Sequence, residues 1–396
     1  MKFTAAATLA LATTAIAAPS KTTSEQPSKR QAGCSSAVSL DAKTNVFKKY
    51  KLHANNFYRK EIEELAIPNL SDPSLEDAAR AVSDTGSFVW LDTIENIAKL
   101  EPAIADVPCD EILGVVVYDL PGRDCAAKAS NGELKVGELA KYKSQFIDKI
   151  ASILKAHPNT AFALVIEPDS LPNLVTNSDV QACKNSASGY RDGVAYALKT
   201  LNLPNVVQYL DAGHGGWLGW DANLKPGAQE LAKAYKAAGS PKQFRGIATN
   251  VAGWNAWDLS PGEFSTASDA KYNSCQNEKI YVTTFGAALK SAGMPNHAIV
   301  DTGRNGVTGN RQEWGNWCNV DGAGFGVRPT ADTGLELADA FVWVKPGGES
   351  DGTSDTSAVR YDSFCGKDDA FKPSPEAGQW HQEYFEMLLR NANPSF

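Results

Sequence analysis

Phe162-Ala163-Leu164-Val165-Ile166-Glu167-Pro168-Asp169 is a run of five apolar residues that ends on two carboxylates separated by a proline. A strand with one wet face alternates apolar and polar residues, so an unbroken run of this length asks for cover on both faces. The same form recurs along the chain. FVWLD ends at Asp92, GVVVYD at Asp119, NVVQYLDAG carries Asp211, FRGIATN ends at Asn250, HAIVDTGR carries Asp301 and Arg304, and FVWVKPGGESD ends at Asp351. Helical patterns lie between them, as at Gly137 to His157 and Lys225 to Ala238. Apolar strands alternating with helices make a parallel sheet covered on both sides. Seven such units without a compositional break predict a closed α/β barrel, with an open doubly wound sheet as the alternative. In both, function gathers at the carboxyl ends of the strands, where these polar residues accumulate.

The chain has 396 residues, with 38 basic against 46 acidic side chains and a net charge of −8. A net-negative chain without a basic block is a poor phosphate binder, so nucleic acid is not an expected partner. Residues 1–18 have the layout of a secretory signal peptide: one early lysine, a short apolar run, then small residues. Residues 19–30 end in Lys29-Arg30 and read as a propeptide, leaving 31–396 as a single catalytic domain. Removing residues 1–30 takes away four basic residues and one acidic residue, so the charge becomes −11. Nothing after residue 30 has the ~20 apolar residues of a membrane span. The expected product is soluble, secreted and monomeric. All seven cysteines (Cys34, Cys109, Cys125, Cys183, Cys275, Cys318 and Cys365) lie after residue 30 and none forms a C-x-x-C pair, so disulfides are favoured over a zinc cluster. Their connectivity stays open at this level. Asn69-Leu70-Ser71 is a sequon for N-glycosylation.

The apparent strand ends collect Asp92, Asp119, Asp124, Glu167, Asp169, Asp211, Asp301, Glu349 and Asp351. No H-E-x-x-H spacing is present, and no metal or other cofactor is expected. Without a G-x-S-x-G elbow, acyl transfer by a serine is disfavoured as well. What remains is acid–base work by carboxylates beside aromatic platforms. Glycoside hydrolysis needs one carboxylic acid to protonate the leaving oxygen and a second carboxylate for attack on the other face. Tryptophans fit the same chemistry, because an indole face stacks on the apolar face of a pyranose. Trp90 lies in the first strand run, Trp217 and Trp220 follow the fourth, Trp254 and Trp257 the fifth, and Trp314 and Trp317 lie in a loop, whereas Trp343 lies inside a strand run and reads as core.

Four stretches carry a family resemblance: VVYDLPGRDC (Val116–Cys125), VIEPDS (Val165–Ser170), YLDAGHGGWLGW (Tyr209–Trp220) and VKPGGESDGTSD (Val344–Asp355). Together and in this order they resemble glycoside hydrolase family 6, over about Asn45 to Phe396. The resemblance implies a distorted parallel α/β barrel of seven strands that hydrolyses β-1,4-glucan with inversion. Carried over by motif, Asp169 is implied as general acid. Asp124 is implied to raise the pKa of Asp169 and to help handle the water, and Asp351 corresponds to the proposed base. A neighbouring anion favours the protonated form of a carboxylic acid, so the first pairing makes chemical sense. Tyr118 resembles the tyrosine that presses on the distorted sugar, and Ser130 the loop serine that holds the water. Arg123, His214, Lys345 and Glu349 fit polar groups around the same ring. Trp90, Trp217, Trp220 and Trp317 fit sugar-binding residues, and Asp92 and Asn255 hydroxyl binders. The resemblance also implies the disulfides Cys125–Cys183 and Cys318–Cys365, leaving Cys34, Cys109 and Cys275 over. Ser350 replaces a cysteine that is frequent in the family.

Two loops, Pro121 to Glu133 and Lys345 to Gly378, are full length, which in this family implies a roofed site and a cellobiohydrolase working from non-reducing ends of cellulose and cello-oligosaccharides. A family endoglucanase with an open cleft is the first alternative and a non-catalytic β-glucan-binding protein the second. The chain shows no cysteine-rich cellulose-binding module ahead of the catalytic segment, so weaker binding to crystalline cellulose is expected than for a two-module relative.

Overall fold

The structure is a computed structural model that describes residues 33–396; the expected signal peptide and propeptide lie outside the described residues. Eight parallel strands form its centre: β1 (Lys51–Leu52), β2 (Phe88–Leu91), β3 (Glu111–Val117), β4 (Ala161–Ile166), β5 (Val206–Asp211), β6 (Phe244–Thr249), β7 (His297–Asp301) and β8 (Ala338–Val342). From β3 to β8 each pairs with the next in chain order. Both β1 and β2 pair with β3 in succession, Lys51 and Leu52 opposite Glu111 and Ile112, then Phe88 to Leu91 opposite Gly114 to Val117. Two segments therefore share one place, and the sheet has seven strand positions. It curls until β2 faces β8, where the Phe88 N–H donates to Trp343 O at 3.2 Å and Trp90 Nε1 to Val344 O at 2.8 Å. The result is a nearly closed barrel of seven parallel strand positions, the architecture read from the apolar runs.

The runs are unbroken because alternate residues serve two cores. Leu113, Val115 and Val117 of β3 pack outward under the helices, whereas Ile112 and Val116 fill the barrel with Ala163, Val165, Val207, Tyr209 and Ile299. Gly114 lies between them on the inner side because a Cβ there would stand 2.6 Å from the Phe88 ring. A third cluster packs the C-terminal helix Gln382–Arg390 against Trp254, Phe325 and Trp343. Trp343 is fully buried, as its place in an apolar run predicts.

Local boundaries differ from the sequence pattern in three places. The last strand starts at Ala338, three residues before the apolar run FVWV, because Asp339 interrupts the pattern while remaining inside the barrel. Arg245 makes two hydrogen bonds to its carboxylate, at 2.7 and 2.8 Å, and the Tyr209 hydroxyl adds a third at 2.9 Å. The helix expected from Lys225 begins at Asp221 and carries Pro226 inside it. The helix expected from Gly137 begins at Leu139 and contains a π-helical stretch, Tyr142–Ile147.

Three disulfides are present: Cys125–Cys183 and Cys318–Cys365, as the resemblance implied, and Cys34–Cys109, which joins two of the three cysteines left over. Cys275 is buried and free. Ser350 is buried too, its hydroxyl donating to Pro375 O at 2.9 Å.

Candidate active site

The carboxyl ends of the strands hold an unusual backbone. Among the described non-glycine residues, Asp124, Glu167, Asp169, Asn250, Ala252 and Asn319 have positive φ at this end of the barrel, and only Ser240 does so elsewhere. Left-handed conformations cost a non-glycine residue about 1–3 kcal/mol and persist where surrounding contacts enforce them. The enforcing contacts are visible at Asp169. Its N–H donates to Asp211 Oδ2 at 3.1 Å, and its carbonyl accepts from Asn173 Nδ2 at 2.6 Å. The Asp169 carboxyl itself makes no hydrogen bond among the described residues and keeps partial exposure. Burial, then the neighbouring carboxylates Asp124 and Asp211, hold it well above the usual carboxyl range, with Arg123 acting in the opposite direction.

Asp124 is buried in the loop after β3. Its Oδ2 accepts from the Tyr118 hydroxyl at 2.8 Å and from the Ser130 hydroxyl. Burial raises its pKa, while the Ser130 and Tyr118 hydrogen bonds pull it down. Arg123 stacks 4.1 Å from the Tyr118 ring centre and donates to the carbonyls of Asp92, Tyr118 and Ser130 at 2.7, 2.6 and 2.9 Å. Tyr118, Arg123, Asp124 and Ser130 thus form one block beside Asp169.

Asp351 lies across the barrel mouth, both oxygens 2.9 Å from Arg304 Nη1 and Oδ2 also taking the Asn319 N–H at 2.9 Å. Arg304 is fully buried and stacks on Trp254 at 3.9 Å, which makes that tryptophan a support beneath the site.

The aromatic residues line two sides. Trp90 meets Tyr118 edge to face at 5.4 Å, with the Lys345 ammonium 5.9 Å from its ring centre and Lys345 paired to Glu349 at 3.0 Å. A cavity of about 340 Å³ opens here, lined by Trp90, Asp92, Glu349, Glu61 and Lys99. Asp92 accepts from Asn96 at 2.5 Å. On the other side, His214 faces Trp217 at 6.0 Å, and Trp217 Nε1 donates to Thr176 Oγ1 at 2.7 Å. Trp220 meets Trp314 at 5.6 Å, and Trp317 lies on Phe364 at 5.9 Å. Asn255 is buried behind His214, 3.1 Å from its Nδ1.

The two long loops meet above these residues. The Lys128 N–H donates to Asp362 Oδ2 at 2.9 Å, and a Cβ on Gly352 would stand 2.8 Å from that of Ala129. Each loop is tied down by one disulfide, Cys125–Cys183 or Cys318–Cys365. Among the described residues no group of three or more His, Cys, Asp or Glu side chains is placed to hold a metal ion.

The structure also adds residues that motif reading did not select. Asp211 is a strand-end carboxylate to which the motifs give no role; burial pushes it to about 7 beside Asp169. Glu61, within a helical stretch and outside any motif, packs against Glu349 and is pushed up to about 8 by burial and by that carboxylate. Arg311 and Glu278 bracket Asn255. Only the position of Asp211 after an apolar run signalled anything; the other three come together through contacts between distant segments.

The family model "Glycosyl hydrolases family 6" matches residues 47–392. A 1,4-beta-D-glucan cellobiohydrolase of Podospora anserina is 86% identical over the full length of both chains. An exoglucanase of Humicola insolens is 51% identical over 89% of this chain and 75% of its own. Among solved structures, a mutant of the Humicola insolens cellobiohydrolase in complex with a methyl-tetrathio-alpha-D-cellopentoside superposes with a TM-score of 0.85 at 49% identity, covering 90% of this chain and all of that one. A family 6 enzyme of Coprinopsis cinerea gives 0.82 at 37% identity, over 89% and 99%. With a family model matching residues 47–392 and a relative 86% identical over its full length, this protein belongs to glycosyl hydrolase family 6.

Proposed function

We propose that this chain is a secreted cellobiohydrolase that hydrolyses β-1,4-glucosidic bonds of cellulose with inversion, releasing cellobiose from non-reducing ends. The observation that carries the reading is Asp169: a partly exposed carboxyl without a hydrogen-bond partner among the described residues, its pKa held well up by burial and by Asp124 and Asp211. A general acid needs a proton at working pH and a free path to the leaving oxygen, and Asp169 has both. Asp124 keeps that pKa high, and the Ser130 and Tyr118 hydroxyls hold Asp124 in position. Asp351 takes the proton released by the attacking water, directly or through a second water, with Arg304 fixing both of its oxygens. Trp90, Trp217, Trp220 and Trp317 carry glucosyl units, while Asp92, Arg123, His214, Lys345 and Glu349 bind their hydroxyls. The joined loops favour release of cellobiose from an end over cutting at internal bonds.

Asp169→Ala tests the mechanism on amorphous cellulose. Loss of about 10²–10⁴ in kcat is the expected size for a general acid, and wild-type activity would refute the assignment. The first-formed anomer seen by NMR should be α; a β product would refute inversion. Cellobiose should dominate the products, with little fall in the viscosity of soluble substituted cellulose. Secretion, loss of residues 1–30 and a glycan on the exposed Asn69 complete the proposal, and the mass of the secreted protein checks all three. Sedimentation should find a monomer.

A further inference from the structure

His214, Asn255, Arg311 and Glu278 form a run of hydrogen bonds in which every donor and acceptor follows from chemistry. Arg311 has only donors, and its Nη2 lies 2.7 Å from Asn255 Oδ1. The amide oxygen of Asn255 therefore faces Arg311, and its NH2 group faces the other way. One amide hydrogen goes to Glu278 Oε1 at 2.7 Å and the other to His214 Nδ1 at 3.1 Å. A ring nitrogen that accepts carries no hydrogen, so the proton of the neutral imidazole is on Nε2. That Nε2 makes no hydrogen bond among the described residues, and the ring it belongs to borders Trp217.

Glu278 anchors the arrangement. It is the buried first residue of the helix Glu278–Ser291, and the same Oε1 accepts the Gly215 N–H at 2.8 Å, fixing the backbone next to His214. Arg311 is held in turn by Glu263, at 2.6 Å. Asn255 has no amide hydrogen left for a sugar.

We propose that Glu278 is a positioning residue: together with Arg311 it clamps Asn255, and by also fixing the Gly215 backbone it keeps the His214 ring against that amide as the Nε2-protonated tautomer, a fixed donor to a hydroxyl oxygen of a bound glucosyl unit. The ligand in this statement rests on the glycosidase reading above; the tautomer does not. Protonating Nδ1 would set N–H against N–H, so the network opposes a charged ring. The charged groups that face the ring are Arg311 and, through Asn255, Glu278, with Glu263 beyond Arg311. Burial and the Arg311 charge act in the same direction, lowering the His214 pKa to about 3.

The test is long-range ¹H–¹⁵N NMR on substrate-free protein labelled in its five histidines, with His214→Gln to assign the signal. Wild type should show His214 protonated on Nε2 and silent between pH 4 and 8. In Glu278→Ala, and in Asn255→Ala should the first not fold, His214 should titrate and lose its single tautomer. KM for soluble cello-oligosaccharides should then rise roughly 10-fold, the scale of one lost buried hydrogen bond, with a smaller change in kcat. Glu278→Gln keeps an acceptor and should keep both tautomer and KM. A wild-type proton on Nδ1, ordinary titration of His214, or an unchanged tautomer in the alanine variants would overturn the proposal. Because the spectra need no substrate, failure to release cellobiose with the tautomer pattern intact would count against the function alone.

Discussion

The backbone N–H of Lys128 and the carboxylate of Asp362 meet at 2.9 Å across the barrel mouth, joining the two loops that cover the site. Asp362 also accepts from the Phe364 N–H at 3.1 Å, so one side chain closes its own loop and latches the other. Asp362→Ala should loosen the roof. The expected outcome is a faster fall in viscosity of soluble substituted cellulose at a given amount of reducing ends, by about 2- to 5-fold, with the rate on short cello-oligosaccharides nearly unchanged, since a lid of this kind gates access.

Ser130 and Tyr118 lower the pKa of Asp124, which burial raises. In Ser130→Ala, Asp124 should hold its proton to higher pH. Water handling and repulsion of the Asp169 anion both need ionised Asp124, so the acidic limb of the kcat/KM profile, where Asp124 gains its proton, should move upward by roughly half a pH unit to one. An acidic limb that stays in place would remove Asp124 from the protonation balance.

Glu61 is pushed from 4.5 up to about 8 by burial and by Glu349. Its folded form binds a proton more tightly than the unfolded chain does, so stability is complete below pH 4.5 and falls as pH rises toward 8. Glu61→Gln should relieve that loss. Its melting temperature should match wild type at pH 4 and exceed it by a few degrees at pH 8, the thermal equivalent of about 1–2 kcal/mol in a chain of this size.

At the opposite end of the barrel, Asp339 is fully buried and its partner Arg245 nearly so. Arg245→Met would take away the permanent cation and leave the buried carboxylate only the Tyr209 hydroxyl and the His297 ring, 3.4 Å away, a change worth about 3–5 kcal/mol for a buried pair. Urea unfolding should show that loss, while kcat of the remaining folded enzyme should stay within a factor of two.

Cys275 is buried, and burial pushes its thiol up to about 11. Thiol titration should find none in the native protein and one per chain in denaturant, because the other six cysteines are paired.

The barrel was legible because the strands from β3 to β8 are buried on both faces, which leaves an unbroken apolar word such as Phe162 to Ile166. It became illegible where charge enters the core: Asp339 hides the start of β8, and β1 is two residues long. Asp124, Asp169 and Asp351 could be placed at the strand ends because they follow strands within motifs. Glu61 and Glu278 could not, since their meaning depends on Glu349 and Asn255, which only folding brings to them. Likewise nothing in the spacing paired Cys34 with Cys109.

The seam between β2 and β8 is closed by one backbone hydrogen bond and one from an indole, and the cavity beside Trp90 opens along it, lined by Phe88, Val89, Pro346 and Glu349. A conventional eight-position barrel would fill that gap with another strand, whose peptide groups would satisfy both edges. Here the edge stays open, so the space that one more strand would take is the cavity beside Trp90, and an incompletely wound sheet builds a wall of the cleft.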